Sequence, residues 1–159
     1  MLSMTKRADY ALLALSYLAS VAEEDAHRLV NTKEIADQFE LPQELLAKLL
    51  QTLTKHGLLA SHPGPTGGYR LLRDAANISV AEVMTMVDGP VALLTCSNGR
   101  GDTCKQFNKC TIRDPLAELE NRIKTLLQDI SIAEITLPQP PTPFEDFSQR
   151  RFAAGLTVG

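Results

Sequence analysis

A chain of 159 residues has room for one compact domain, or for two small ones sharing a core, and its formal net charge of −3 does not advertise nucleic acid. Hydrophobic residues make up 44% of it, no apolar run is long enough to span a membrane, and the start has no signal-peptide organisation, so a soluble cytoplasmic protein is predicted. An odd count of three cysteines argues against a secreted disulfide framework and for metal or redox use.

Residues 5 to about 22 are predicted to form a helix capped by Thr5, with Tyr10, Leu13, Ala14, Tyr17, Leu18 and Val21 on one apolar face. Asp9 then falls in or near the first turn, where the helix dipole favours a carboxylate. After a polar break, Asn31 or Thr32 caps a short helix from Lys33 to Phe39. Pro42 suits the first position of a second helix running to about His56, which buries Leu45, Leu46, Leu49, Leu50 and Leu53 and ends at Gly57. A short helix, a tight turn and a longer helix have the shape of a helix-turn-helix. Leu58–Leu72 reads as a hairpin, because the Pro and Gly density of 61–68 forbids helix and demands a turn. In this order the elements make a winged helix. The predicted fold class is mainly α, with a small β-hairpin wing and a long dimerisation helix.

Ser79-Val80-Ala81-Glu82 reads as a capping box opening another short helix. A Gly/Asn-rich loop then carries all the cysteines, Cys96, Cys104 and Cys110, with gaps of seven and five residues. Asp114-Pro115 opens the long helix. Leu116, Leu119, Ile123, Leu126, Ile130 and Ala133 recur at alternating steps of three and four, which is the seam of a coiled coil and predicts a homodimer. A second capping box, Ser131-Ile132-Ala133-Glu134, is a place where that helix can break. Three regions follow: 1–75 for DNA, 76–136 for the cysteine loop and dimerisation, and a Pro-rich tail at 137–159 predicted to be flexible.

Two groups of residues carry the chemistry. On the outer face of the second helix of the helix-turn-helix stand Gln43, Glu44, Lys48, Gln51, Thr52 and Lys55. Gln pairs with adenine, Lys with guanine or phosphate. His62, Tyr69 and Arg70 in or beside the wing are placed to reach the minor groove or phosphates. Because residues 1–73 hold 8 basic and 8 acidic side chains, these contacts must come from placed residues and not from a bulk field. The three cysteines are soft ligands whose wide gaps suit a cluster better than a bare zinc ion, and a fourth ligand is missing. Regulators with a structural zinc or no metal remain open. A thiol enzyme is disfavoured, since no Cys-x-x-Cys and no adjacent base occurs.

The chain resembles the Rrf-type winged-helix transcriptional regulators, the bacterial family that includes the IscR, NsrR, RirA and Suf-type iron–sulfur regulators. The matching stretches are Thr5-Lys6-Arg7-Ala8-Asp9-Tyr10-Ala11-Leu12 and Gly64-Pro65-Thr66-Gly67-Gly68-Tyr69-Arg70-Leu71. Ile78-Ser79-Val80-Ala81-Glu82-Val83, Val87-Asp88-Gly89-Pro90, the three cysteines and the long helix follow in unbroken order over about residues 1–136. The resemblance implies a [4Fe–4S] or [2Fe–2S] cluster on Cys96, Cys104 and Cys110, and a homodimer binding a palindromic operator. The regulated genes would be those of iron–sulfur assembly, with iron starvation, redox stress and nitric oxide as open signals. Members with a histidine ligand carry it where this chain has Arg113, which stays protonated and cannot ligate. Members with a carboxylate ligand carry it near the N-terminus, where Asp9 stands. Asp9 is therefore expected as the fourth ligand, reached across the dimer. The gap of seven between the first two cysteines is longer than in IscR- or NsrR-like members and nearer to the RirA-like and Suf-type ones.

Overall fold

In the computed structural model, which describes residues 4–93 and 104–136, helix α1 (Lys6–Glu24) forms the centre against which most other elements pack. The hydroxyl of Thr5 accepts the N–H of Ala8 at 3.1 Å, satisfying one of the donors a helix start leaves open. Of the predicted apolar face of α1, Ala14, Leu18 and Val21 are buried, but the buried surface extends beyond that stripe. Ala8, Ala11, Leu12 and Leu15 are buried, while Leu13 and Tyr17 are only partly covered. A single-face periodicity assumes one partner, whereas α1 touches helices on several sides and the wing besides.

Asn31, not Thr32, caps α2 (Thr32–Phe39), its side-chain oxygen accepting the N–H of Glu34 at 2.8 Å. Glu40, with φ +52°, turns the chain in the left-handed region, and the N–H of Leu41 closes on the carbonyl of Ala36 at 2.9 Å. The third helix, α3 (Gln43–Lys55), starts one residue later than expected. Pro42 is the cap with extended backbone, and Gln43 takes the first helical position. Leu46, Leu49, Leu50 and Leu53 are fully buried, while Leu45 is half-buried. His56 is the C-terminal cap, and Gly57 follows it at φ +75°.

Strands β1 (Leu59–His62) and β2 (Gly68–Leu71) pair antiparallel, with Leu59 opposite Leu71 and His62 opposite Gly68. Val30 extends this hairpin. Its N–H donates to the carbonyl of Tyr69 at 3.0 Å and its carbonyl accepts from Tyr69 at 2.8 Å. The base of the wing is thereby tied to the segment joining α1 and α2.

Helix α4 (Val80–Asp88) is capped by Ser79, whose hydroxyl accepts the N–H of Glu82 at 3.1 Å. The box is only half made, because Glu82 turns instead to Arg73 at 2.5 Å. The long helix, α5 (Arg113–Asp129), begins at Arg113, one residue before Asp114, and no side chain caps it. It ends at Asp129. Ile130 is extended, outside α5, and packs against the core of its own chain. The predicted continuous seam through Ile130 and Ala133 is thus cut short. The reason is the second capping box, made here in both directions: Ser131 N–H to Glu134 at 2.7 Å, and Glu134 N–H to the Ser131 hydroxyl at 3.2 Å. It opens α6 (Ile132–Thr136). Two backbone bonds, Val80 N–H to Ile130 and Ile132 N–H to Ile78, hold this break against the start of α4. One apolar cluster runs from Ala11 to Ile132, joining α1, α2, α3, the wing base, α4 and α6. The 137–159 tail lies outside the described residues.

Candidate nucleic-acid interface and thiol site

The leucines of α3 face the core, so its other side is open. Gln43, Glu44, Lys48, Gln51 and Lys55 are exposed, and Thr52 is half-covered because its hydroxyl donates back to the carbonyl of Lys48 at 2.9 Å. Glu44 occupies the first turn, where the dipole favours it. His62 stands exposed at the outer end of β1. Tyr69 and Arg70 are half-buried in β2, and the Tyr69 ring packs against the core, leaving Arg70 as the more available wing side chain. A shallow recess of about 210 Å³, lined by Gln51, Thr54, Lys55, Ser61 and Tyr69, joins α3 to the wing.

The described cations divide into paired and unpaired ones. Arg28, Lys33, Arg73, Arg113, Arg122 and Lys124 each have a carboxylate within 4.0 Å. Among the described residues Lys48, Lys55 and Arg70 on this face make no ion pair, and neither do Lys6, Arg7, Lys105 and Lys109 elsewhere. A second group of buttressing contacts lies away from this face. The Tyr17 hydroxyl donates to Glu34 at 3.0 Å, and Arg28 holds the same carboxylate at 2.6 Å. Burial, then the Glu34 hydrogen bond, push the Tyr17 phenol above its ordinary pKa. The Tyr17 ring meets Phe39 edge-on at 5.9 Å, so α1 and α2 are locked before α3 begins.

Of the three cysteines, Cys96 lies outside the described residues. Cys104 is exposed and Cys110 is partly exposed, both as free thiols. They flank a single helical turn, Phe107–Lys109, in which the N–H of Phe107 reaches the carbonyl of Cys104 at 3.1 Å. The guanidinium of Arg113 sits 4.9 Å from the centre of the Phe107 ring and bonds Asp114 at 2.8 Å. That hydrogen bond, with its charge, holds the Asp114 carboxyl below its ordinary pKa. Asp9 is exposed in the first turn of α1. Among the described residues no three His, Cys, Asp or Glu side chains come together to hold a metal, so Asp9, Cys104 and Cys110 do not converge within one chain. The donor set itself, accessible unpaired thiols on either side of a short turn, suits a soft metal or a cluster.

On α5, Leu119 and Leu126 are exposed at 45% and 51%, with Ile112 in line one heptad before Leu119. Leu116 and Ile123 are half-buried, and Ile123 lines an open cleft with Met4, Met84, Val91, Leu93 and Leu127. The start of α1 closes one side of this cleft, where the Thr5 hydroxyl donates to Asp88. Sequence reasoning missed Glu120. It is 3% exposed, accepts the N–H of Leu93 at 2.8 Å and binds Lys124 at 2.5 Å. Only the Glu120–Lys124 spacing was visible beforehand, and such a pair ordinarily marks a solvent face.

Over residues 4–137 the sequence matches the Rrf2 family model, described as an iron-dependent transcriptional regulator. It is 32% identical over 136 residues to an rrf2-like helix-turn-helix transcriptional regulator of Rhodobacter capsulatus, covering 83% of this chain and 91% of that one. It is also 32% identical over 132 residues to the transcriptional regulator IscR of Yersinia pseudotuberculosis, covering 83% and 77%. Among solved structures, CymR, the global cysteine regulator of B. subtilis, superposes with a TM-score of 0.67 at 20% identity over 88% of this chain and 100% of its own. An IscR from T. potens does so with a TM-score of 0.61 at 20% identity, covering 99% and 94%. These two structures speak for the winged-helix fold.

Proposed function

The chain belongs to the Rrf2 family of transcriptional regulators, a non-enzymatic class, and on that footing we propose that it is an iron–sulfur-dependent repressor binding a palindromic operator as a homodimer in the cytoplasm. Its targets in this reading are genes of iron–sulfur assembly or of iron and redox stress. Residues 1–75 read the DNA, and 76–136 hold the thiols and the pairing helix. The observation that carries the DNA half is the open polar face of α3 beside the wing, where Gln43, Lys48, Gln51 and Lys55 are exposed and Lys48, Lys55 and Arg70 are not engaged in ion pairs. An unpaired cation meets a phosphate without first breaking a bond in its own protein.

Gln43, Glu44 and Gln51 offer base-edge partners, Gln to adenine and Glu to the amino group of cytosine, with Thr52 beside them. His62, Tyr69 and Arg70 carry the wing to the backbone or minor groove. Gln51→Ala is expected to cost about 1–3 kcal/mol at the operator and to relax specificity at one position. Lys48→Ala should weaken all sequences alike and lower the salt slope by about one. Titrations at several salt concentrations separate the two, and unchanged binding by both variants would remove α3 from the interface.

For the cofactor, the free thiols of Cys104 and Cys110 fit, Cys96 is the third thiolate, and Asp9 from across the dimer is the fourth donor. When bound, a [4Fe–4S] or [2Fe–2S] group supplies oxidation-sensitive iron. Iron and sulfide analysis of protein purified without air, with its absorption and EPR spectra, tests this directly. Protein containing neither element points to the second reading, a winged-helix regulator with a structural zinc or no metal.

Pairing of two copies uses the apolar face of α5, namely Leu116, Leu119, Ile123 and Leu126, with Ile130 at its end. Because Leu119 and Leu126 are exposed within the chain, Leu119→Glu with Leu126→Glu leaves the fold intact. Sedimentation should then report monomers, and operator affinity should fall at least tenfold through loss of the second half-site. A dimer unaffected by both changes would put the interface elsewhere.

A further inference from the structure

We propose that Glu34 is a positioning residue for DNA binding: it clamps the α1–α2 connection on both sides of Val30 and so sets where the wing stands relative to α3. The inference rests on the reading of α3 and the wing as the surface that meets DNA. Glu34 lies in the first turn of α2. One of its carboxylate oxygens accepts the Tyr17 hydroxyl of α1 at 3.0 Å and the Arg28 guanidinium at 2.6 Å. Its N–H donates to the Asn31 side chain at 2.8 Å. Arg28 and Asn31 flank Leu29 and Val30, so a single residue holds the chain just before and just after Val30. Upstream, the N–H of Arg28 closes a turn on the carbonyl of Asp25 at 3.1 Å.

Val30 is where this clamp reaches the wing. It is fully buried and exchanges two backbone hydrogen bonds with Tyr69. A Cβ on Gly68 would lie 2.5 Å from its carbonyl oxygen, so β2 seats on Val30 without slack. Tyr69 lines the recess between wing and α3 with Gln51, Thr54, Lys55 and Ser61, and Arg70 is the next residue of the strand. A shift of Val30 is therefore passed to the wing cation and to its distance from α3. The clamp adds little to the stability of the fold as a whole. The Arg28 and Glu34 side chains are 43% and 27% exposed, and ion pairs at such sites stabilise weakly. Removing the carboxylate also makes the protein more positive, which on charge alone tightens binding to a polyanion. Positioning and bulk charge thus give opposite signs for Glu34→Ala.

The test uses the full-length protein purified without air and a DNA duplex that the parent protein selects from a random-sequence pool. Glu34→Ala should weaken binding to that duplex about fivefold or more and speed amide exchange at Val30 and Tyr69. Its thermal midpoint should fall by only a few degrees. Glu34→Gln keeps an acceptor for Tyr17 and Arg28 and should restore both affinity and exchange. In an Arg70→Ala background the Glu34→Ala loss should shrink, because a misplaced wing then has less contact to lose. Should Glu34→Ala fail to fold, Tyr17→Phe takes its place. It leaves the charge unchanged, keeps the ring against Phe39, and should speed exchange at Val30 and weaken the duplex in the same direction. Unchanged or tighter binding, or a loss that adds in full to that of Arg70→Ala, would overturn the positioning role and leave the DNA reading standing. A parent that selects no duplex, or an Arg70→Ala variant that binds it as the parent does, would instead remove the wing from the DNA, and this inference with it.

Discussion

Cys110→Ser is expected to abolish iron and sulfide binding and to shift operator affinity by roughly five- to 150-fold, the span of a coupling of about 1–3 kcal/mol between two sites. A serine hydroxyl is not a thiolate at neutral pH and does not replace a sulfur ligand on iron. The fold should not notice the change. Cys110 is only partly covered, Cys104 is exposed, and neither belongs to the apolar cluster. A thermal midpoint within a few degrees of the parent, beside lost iron, would therefore assign the effect to the site and not to unfolding. Cys104→Ser should behave alike. Retained iron and an unchanged spectrum in both variants would end the cluster reading. Asp9→Ala is the finer probe: Asp9 is exposed in the first turn of α1, so its loss should cost at most about 1 kcal/mol of stability. An altered spectrum would make it a ligand, and a parent-like one would leave it a first-turn charge.

The second large effect is expected at Gly68. A Cβ placed there would lie 2.5 Å from the carbonyl oxygen of Val30 and 2.7 Å from its carbonyl carbon, both backbone atoms. Gly68→Ala must therefore push Val30 away and break the two hydrogen bonds it shares with Tyr69. Overpacking costs about 1–3 kcal/mol and each of the two lost bonds about 0.5–1.5, so a destabilisation of about 2–6 kcal/mol is expected in urea titration. The same change frees the wing base from the α1–α2 connection. Operator binding should then fall more than stability alone accounts for, under conditions where the variant is still folded. Gly64 is the contrast. Its φ of +112° strains any side chain, but nothing lies within 4 Å, so Gly64→Ala should cost about 1 kcal/mol and leave the wing base tied. Equal effects at the two glycines would mean that the Val30 contact is not what holds the wing.

The features legible in the sequence were the ones made between near neighbours. Thr5, Asn31 and Ser79 cap helices by bonds reaching three residues, and the Pro/Gly run of 61–68 allows little but a turn. The buried leucines of α3 repeat at helical spacing, so its exposed face, and with it the candidate DNA-reading side chains, could be named in advance. Local chemistry of this kind does not depend on what lies across the core. Ile130 shows the limit: its spacing matched the seam, yet two backbone bonds to the start of α4 and the Ser131–Glu134 box draw it out of α5. The wider buried surface of α1 has the same origin, since the sides that are buried follow from which helices arrive there.

By itself, then, the chain determined a winged helix, its reading face, a three-cysteine segment and a long helix after it. Tertiary structure alone decided that Val30 completes the wing, that the cations of α3 and the wing stay unpaired, and that Glu120 is buried under Leu93. Each of these depends on groups far apart in the chain, 27 residues in the case of Glu120 and Leu93. No periodicity or spacing rule encodes such pairs, because their energy exists only once the shared core has brought the partners within reach.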